Sequence, residues 1–456
     1  MVRLFGACAQ PNLLDADCLQ GKKPPATWRP LIESRPIAAL HARQRFRRIT
    51  LKTEWPIAEN TNRMLNESPM QTAHTTLRKN SDIEALRTLA IILVIFAHIS
   101  ALLSPDSVYR VVLAYFRFGY GVDVFFCISG FIITKSIINE IPSSRSLKSI
   151  LDFSIPFWTR RFWRLMPSAF FWVLMGLLLS AWHGGEGYIP KLKDFAWPAF
   201  AAAFQFFNVI FPACRDASTC GTVGIYWSLS LENQFYLILP VIAVLAGTRR
   251  MAMIFGAVFL AQFFLSRQLT DPTPYLWAFR TDAIALGVVL AIWQKHASYQ
   301  RARPDFLRNG PLCTLLLLLM IAGLGAITIP VAPIPFAMGI TSVGAFLLVW
   351  AASYNENYFT RWKPVEVFCD YLGSRSYAIY LVHFIVLFTV RQLMFSPAES
   401  STNTNYDTLS VASYVFVFIF FTLALSELNY RFIETPLRKK GEKISKGMKL
   451  RVIQQP

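Results

Sequence analysis

Charge is scarce in this chain of 456 residues: 16% are Asp, Glu, Lys or Arg, against 54% that are hydrophobic. Soluble domains carry roughly 25% charged residues, so the balance argues against a water-solvated globular fold and makes lipid the expected solvent. Clustered cysteine is lacking too. Seven cysteines stand apart at positions 8, 18, 127, 214, 220, 313 and 369. They form no CxxC pair and have no histidine at ligand spacing, which argues against a disulfide scaffold and a zinc site. Cys214 and Cys220 are the one pair close in sequence, and spacing leaves open whether they bridge. Also missing near the start is a signal peptide, since there is no continuous apolar run with a small-residue cleavage site behind it. The first hydrophobic helix is then expected to target the chain.

Acidic residues are outnumbered, 27 against 45 Lys and Arg, for a net charge of +18. The excess sits in short blocks beside apolar runs, which is the pattern of membrane topology and not of a nucleic-acid-binding domain. The expected partner is the lipid bilayer, and nucleic acid is not expected.

Long apolar runs are plentiful. A bilayer core of about 30 Å needs roughly 17 to 25 apolar residues per helix. Such segments lie near 83–103, 115–137, 165–183, 226–246, 251–269, 276–293, 312–329, 334–353, 372–395 and 409–429. The expected fold is an all-α polytopic membrane protein of about ten transmembrane helices with both termini cytoplasmic. That topology gives the cytoplasm Lys135, Arg145, Arg160, Arg161, Arg164, Arg249, Arg250 and a basic tail from Arg431. Counting 196–211 as another span would turn Arg249, Arg250 and the tail outward, against the positive-inside bias, so that stretch is expected to be interfacial or re-entrant. The domain reading is a disordered basic extension at 1–80, a membrane domain at 81–440 and a basic tail at 441–456.

A charge at the centre of a membrane helix costs about 2.5 to 3.5 kcal/mol on insertion scales, so each ionisable group there needs a partner or a task. In DIEALRTLAIILVIFAHIS, Arg87 and His98 fall on nearly the same helical face, about 16 Å apart along the axis. A neutral imidazole takes a proton from a hydroxyl near pH 7, which makes His98 a candidate general base or acyl carrier. A buried histidine satisfied by a neighbouring helix is the equal alternative. GYGVDVFFCISGFIITK sets Asp123 and Ser129 in an aromatic run, and its Gly130 allows close helix approach. Asp123 either orients a His or Arg or caps the helix.

In FWTRRFWRLMP, Arg160, Arg161 and Arg164 suit a polyanion such as the phosphates of a coenzyme A thioester or lipid headgroups. The bland reading is a set of anchors at the cytoplasmic face. YWSLSLENQFYLILP holds Glu232 one turn from Ser228 and Tyr236. That carboxylate pairs with an arginine, holds a sugar hydroxyl or makes a polar packing contact. Arg280 and Asp282 in FRTDAIALG suit a structural ion pair. Tyr377, Tyr380 and His383 form a helical stripe that is more often packing than chemistry.

Taken in order, these segments resemble the bacterial integral membrane acyltransferase-3 family, which includes O-antigen, exopolysaccharide and nodulation-factor acetylases. The resemblance covers about residues 81–440. It is carried by Arg87 with His98, VDVFFCISGFIIT at 122–134, RRFWR at 160–164, YWSLSLENQFYLILP at 226–240, RTDAIALG at 280–287, LGSRSYAIYLVH at 372–383 and NYRFIETPLR at 429–438. It implies that His98 is the key residue of acyl transfer, with Arg87 its partner on the helix and Glu232 a further catalytic candidate. Arg160, Arg161 and Arg164 would bind the donor, with Asp123, Ser129, Trp227, Tyr236, Arg280, Asp282, Tyr380 and His383 supporting.

The resemblance further implies an acyl-CoA donor substrate, acetyl-CoA foremost, and no bound cofactor or metal. The acceptor would be a saccharide or glycolipid, as in O-antigen, lipopolysaccharide and polysaccharide biosynthesis, and the location the bacterial inner membrane. Two departures stand out. Asn233 replaces the family's second acidic residue beside Glu232, and the lack of a fused SGNH domain aligns the chain with stand-alone members. The alternative is a transporter that carries acyl groups or lipid-linked substrate across the membrane for a separate enzyme.

Overall fold

The structure, a computed structural model, describes residues 79–103, 107–185, 187–214, 217–267, 274–327, 334, 336–394 and 408–453. The expected disordered extension lies outside the described residues apart from its last two. All regular structure among the described residues is helical, as lipid demands when every backbone polar group must be satisfied within its own segment. The principal helices are α1 (Ser81–Ile99), α2 (Gly121–Ile137), α3 (Leu147–His183), α4 (Leu192–Ala203), α5 (Tyr226–Phe263), α6 (Asp282–Trp293), α7 (Gly310–Ile327), α8 (Ala337–Ser353), α9 (Lys363–Met394), α10 (Thr408–Leu428) and α11 (Thr435–Ile453).

By length and composition, 7 helical stretches among the described residues can cross a membrane, and Ala337–Ser353 is a shorter apolar helix. The protein is therefore a multi-pass, all-α membrane protein. Helix α5 is broken at Gly247, where φ is 70° and ψ 173°, a conformation open to glycine and costly to other residues. The expected segment 226–246 and the part of 251–269 up to Phe263 accordingly fall on its two arms, with Arg249 and Arg250 just past the break. The stretch 196–211 forms the end of α4 and a single turn at Phe207–Ile210, separated by Gln205 at positive φ. Neither piece has the length of a span.

Local signals set the ends of α1. The Asn80 side chain accepts from the backbone N–H of Ile83 at 3.0 Å, and Asp82 and Glu84 follow in the first turn, where the helix dipole favours negative charge. Asp82 also accepts from the backbone of Tyr358 and Phe359 and from the Thr360 hydroxyl, at 3.0–3.2 Å. The start of α1 is thereby tied to the loop that follows α8.

Helices α2 and α6 cross with almost nothing between their backbones. A Cβ on Gly130 would meet the Ile284 carbonyl oxygen at 2.2 Å, and one on Gly287 would meet that of Cys127 at 2.2 Å. The close approach expected at Gly130 is present, and Gly287 supplies its other half.

Helix α3 has 37 residues, about 55 Å at 1.5 Å per residue, well beyond a bilayer core. Its first half packs against α11, with the Ser445 hydroxyl donating to Pro156 O at 2.8 Å and Gly441 lying against the Trp163 ring. The basic tail therefore continues as helix to Ile453. A disulfide joins Cys214 to Cys220, with their Cα atoms 5.2 Å apart, which answers the question that spacing left open.

Candidate active site

Two cavities among the described residues hold most of the candidate side chains. The larger, of about 300 Å³, is lined by His98, Asp123, Arg280, Trp227, Trp277 and Phe384, among others. His98 stands at the end of α1 with Nδ1 2.9 Å from Val94 O. A carbonyl only accepts, so Nδ1 carries the ring proton and Nε2 keeps a free lone pair. The Phe384 ring meets His98 edge-on with centroids 5.1 Å apart, and His383 Nε2 lies 3.4 Å from His98 Nδ1.

The ion pair expected between Arg280 and Asp282 does not form. Arg280 instead donates to both oxygens of Asp123, at 2.7 and 2.6 Å. Asp282 is held by Arg267 through two bonds of 3.2 and 2.7 Å. The reason is local: α6 begins at Asp282, and residues two apart at a helix start do not face each other. Asp123 thus orients an arginine and is not spent on a cap. All four charges are nearly fully buried, where an unpaired charge is very costly. Arg280 also lies 5.4 Å from both the Trp227 and Trp277 ring centroids, within cation–π range. Arg267 went unnoticed in the sequence, although a lone arginine ending the apolar run 251–269 was the available signal.

The smaller cavity, of about 90 Å³, is lined by Arg87, Arg161, Arg164, Ser129, Ser228, Glu232, Tyr236, Tyr377 and Glu434, among others. Glu232 accepts from the hydroxyls of Ser129 and Tyr236, the latter one turn along the same helix. Arg87 pairs with Glu84 at 3.2 Å. Among the described residues neither Arg161 nor Arg164 has a salt bridge. Arg161 lies over the rings of Phe157 and Tyr236, and its Nε has no hydrogen-bond partner. Arg160 is not in this lining, although its Nε too is buried without a hydrogen-bond partner. The arginines that this cavity gathers are Arg87, Arg161 and Arg164.

Glu434 was not singled out in the sequence. It is 3% exposed, its Oε2 lacks a partner, and it closes a π-helical turn over Asn429–Glu434. Such a turn inserts a residue and re-aims the next side chain, which linear helical spacing does not reveal.

Val122 and Tyr380 line both cavities. The Tyr380 hydroxyl is 2.6 Å from Ser228 Oγ and 3.2 Å from Ile225 O. Arg87 and His98, expected on one face of α1, open onto different cavities on either side of this wall. Asp282 and His383 line neither. Among the described residues there is no group of three or more His, Cys, Asp or Glu side chains placed to hold a metal.

An acyltransferase domain family matches residues 80–428. Among curated relatives, the peptidoglycan O-acetyltransferase OatA of Listeria monocytogenes is 26% identical over 393 residues, covering 79% of this chain and 56% of that protein. The O-acetyltransferase OatA of Staphylococcus aureus is 26% identical over 395 residues, covering 79% and 57%. The chain thus spans little more than half the length of these relatives. No solved structure matches it.

Proposed function

Because the chain belongs to this acyltransferase domain family, we propose that it moves an acyl group, acetyl foremost, from a cytoplasmic acyl-CoA to a hydroxyl of a cell-envelope saccharide or glycolipid. The observation that carries the reading is the pair of cavities that share Tyr380, one with Arg161 and Arg164, which make no salt bridge among the described residues, and the other with the bare Nε2 of His98. The phosphates of the donor bind Arg161 and Arg164 through charge-assisted hydrogen bonds, and the acyl end reaches past Val122 and Tyr380. His98 Nε2 takes the proton of the acceptor hydroxyl as its oxygen attacks the thioester carbonyl. The new C–O bond forms, the C–S bond breaks, and the proton passes from the imidazolium to the departing thiolate.

Names of relatives support the acceptor class. The Listeria protein is called a peptidoglycan O-acetyltransferase, which sets peptidoglycan beside O-antigen and lipopolysaccharide as acceptors to test. The location is the bacterial inner membrane with both termini cytoplasmic, in keeping with the basic blocks. The test is His98→Ala in a host whose envelope carries ester-linked acetate. Acetate released by mild alkali falls to the level of a deletion strain, and full retention rejects His98 as the base.

A second reading rests on the same two cavities in series: the chain delivers the acyl group across the membrane to a separate enzyme. Purified protein in vesicles, given labelled acetyl-CoA and a purified envelope saccharide, separates the two. Label on the saccharide without a second protein supports transfer by this chain.

A further inference from the structure

We infer that His383 is a positioning residue for His98, holding its ring with Nε2 free and sharing the positive charge that His98 acquires when it takes a proton. The inference rests on the reading of His98 as the base.

His383 is fully buried on α9, with Nδ1 2.7 Å from Tyr380 O and 3.2 Å from Ile379 O. Carbonyls only accept, so Nδ1 is the protonated nitrogen and Nε2 is left with a lone pair. That lone pair lies 3.4 Å from His98 Nδ1, whose proton also points to Val94 O at 2.9 Å. The Nδ1–H of His98 is therefore forked between two acceptors on two helices.

Every other tautomer pairing is worse. With the proton of His383 on Nε2, two N–H groups would face each other and two carbonyls would oppose a lone pair. With the proton of His98 on Nε2, its Nδ1 lone pair would face Val94 O, and it would meet either the lone pair of His383 or an Nε2–H gained only by opposing the His383 Nδ1 lone pair to two carbonyls. The arrangement with both protons on Nδ1 is the one in which each donor meets an acceptor, and it leaves the basic nitrogen of His98 unprotonated.

The pair does not export a proton, because Tyr380 O and Ile379 O cannot take one. Once His98 is protonated on Nε2, its charge spreads toward His383 and stops there. The other charged groups in the lining are Arg117, Arg280 and Asp123, and Asp123 is engaged by Arg280. His383 is thus the uncharged acceptor placed against the imidazolium, a role usually filled by a carboxylate behind a histidine base.

The test uses inverted membrane vesicles of expressing cells, labelled acetyl-CoA, and base-labile label in vesicle material as the readout. His383→Leu lowers kcat by about tenfold or more, a share of the 10²–10⁴-fold effect of a general base, with the KM for acetyl-CoA unchanged. His383→Gln, whose amide oxygen can accept from His98, recovers most of the loss. Wild-type turnover in His383→Leu overturns the inference, as does equal loss in both variants or a change in KM alone. Should His383→Leu fail to fold, ring ¹⁵N signals of wild-type protein decide: a His383 protonated on Nε2 overturns the proposal, and one protonated on Nδ1 supports it. His98→Ala runs alongside. Its full activity sinks the base reading itself, whereas an inactive His98→Ala beside a fully active His383→Leu sinks the positioning role alone.

Discussion

Tyr380 and Ser228 meet hydroxyl to hydroxyl at 2.6 Å, in the wall between the arginine-lined cavity and the cavity of His98. An acyl group that enters beside Arg161 and Arg164 and reacts at His98 passes this point. Val122 is the other residue common to both linings, so Val122→Phe sets a second ring in the passage. The expected outcome is a fall in kcat of about tenfold or more with the KM for acetyl-CoA unchanged. Tyr380→Phe keeps the ring and loses the hydroxyl contacts, for a stability cost of about 1 kcal/mol and a rate within a few-fold of wild type. Label transfer in membrane vesicles measures both, and an unaffected Val122→Phe places the passage elsewhere.

Arginine geometry gives a sharper contrast. Arg161 and Arg164 line the smaller cavity and Arg160 does not. Hydrogen bonds to a charged group contribute about 1.5 to 3 kcal/mol, roughly ten- to a hundredfold in affinity. Arg161→Gln and Arg164→Gln should each raise the KM for acetyl-CoA by about that factor, while Arg160→Gln raises it by less than about threefold. Titration of acetyl-CoA in vesicles measures the three variants side by side, and an equal effect of all three removes the cavity as the donor site.

The sequence made the helices legible because lipid leaves the backbone few choices. A run of apolar residues of spanning length has to be a helix, and each apolar segment read from the sequence is helical over most of its described residues. Arg87, His98, Glu232 and Asp123 were visible for a related reason, since a charge in an apolar run needs an explanation. Partners were not visible. The pairing of Arg280 with Asp123, and of Asp282 with Arg267, depends on how helices far apart in sequence cross. Glu434 depends on a π-turn that breaks the regular period. The separation of Arg87 from His98 by a wall depends on Tyr380 of α9, which periodicity marked as packing.

The buried charges predict a pattern of rescue. Removing one member of a buried pair strands the other and costs about 3 to 5 kcal/mol, so Asp123→Asn and Arg267→Gln should each sharply reduce the yield of folded protein from detergent. Combining Asp123→Asn with Arg280→Gln removes both charges of one pair and should restore a substantial part of the yield. Activity is expected to stay low in that double variant, because Arg280 lines the cavity of His98. Gel filtration of the solubilised protein reads the yield, and a double variant no better than Asp123→Asn alone sinks the pairing.

The disulfide bears on which way the protein faces. Cys220 and Gly221 line the cavity of His98, and Cys220 is bridged to Cys214. Disulfides persist in oxidising compartments and are rare in the cytosol. On the proposed topology the bridge and the His98 cavity face the extracytoplasmic side, opposite the basic blocks that favour the cytoplasm. A charged, membrane-impermeant phosphine applied to intact spheroplasts should free both thiols for a mass-tagged maleimide, and the same phosphine outside inverted vesicles should not. Among the described residues Cys127, Cys313 and Cys369 are free but buried, so they label only after denaturation in either case, and the test is run with Cys8 and Cys18 changed to Ser. Closing so short a loop contributes about 2 kcal/mol in the chain-entropy account, and changing both Cys214 and Cys220 to Ser should lower thermal stability accordingly. Reduction from the cytoplasmic face alone would put His98 on the same side as the donor, and transfer from an internal thioester to an external saccharide would then have no route through this cavity.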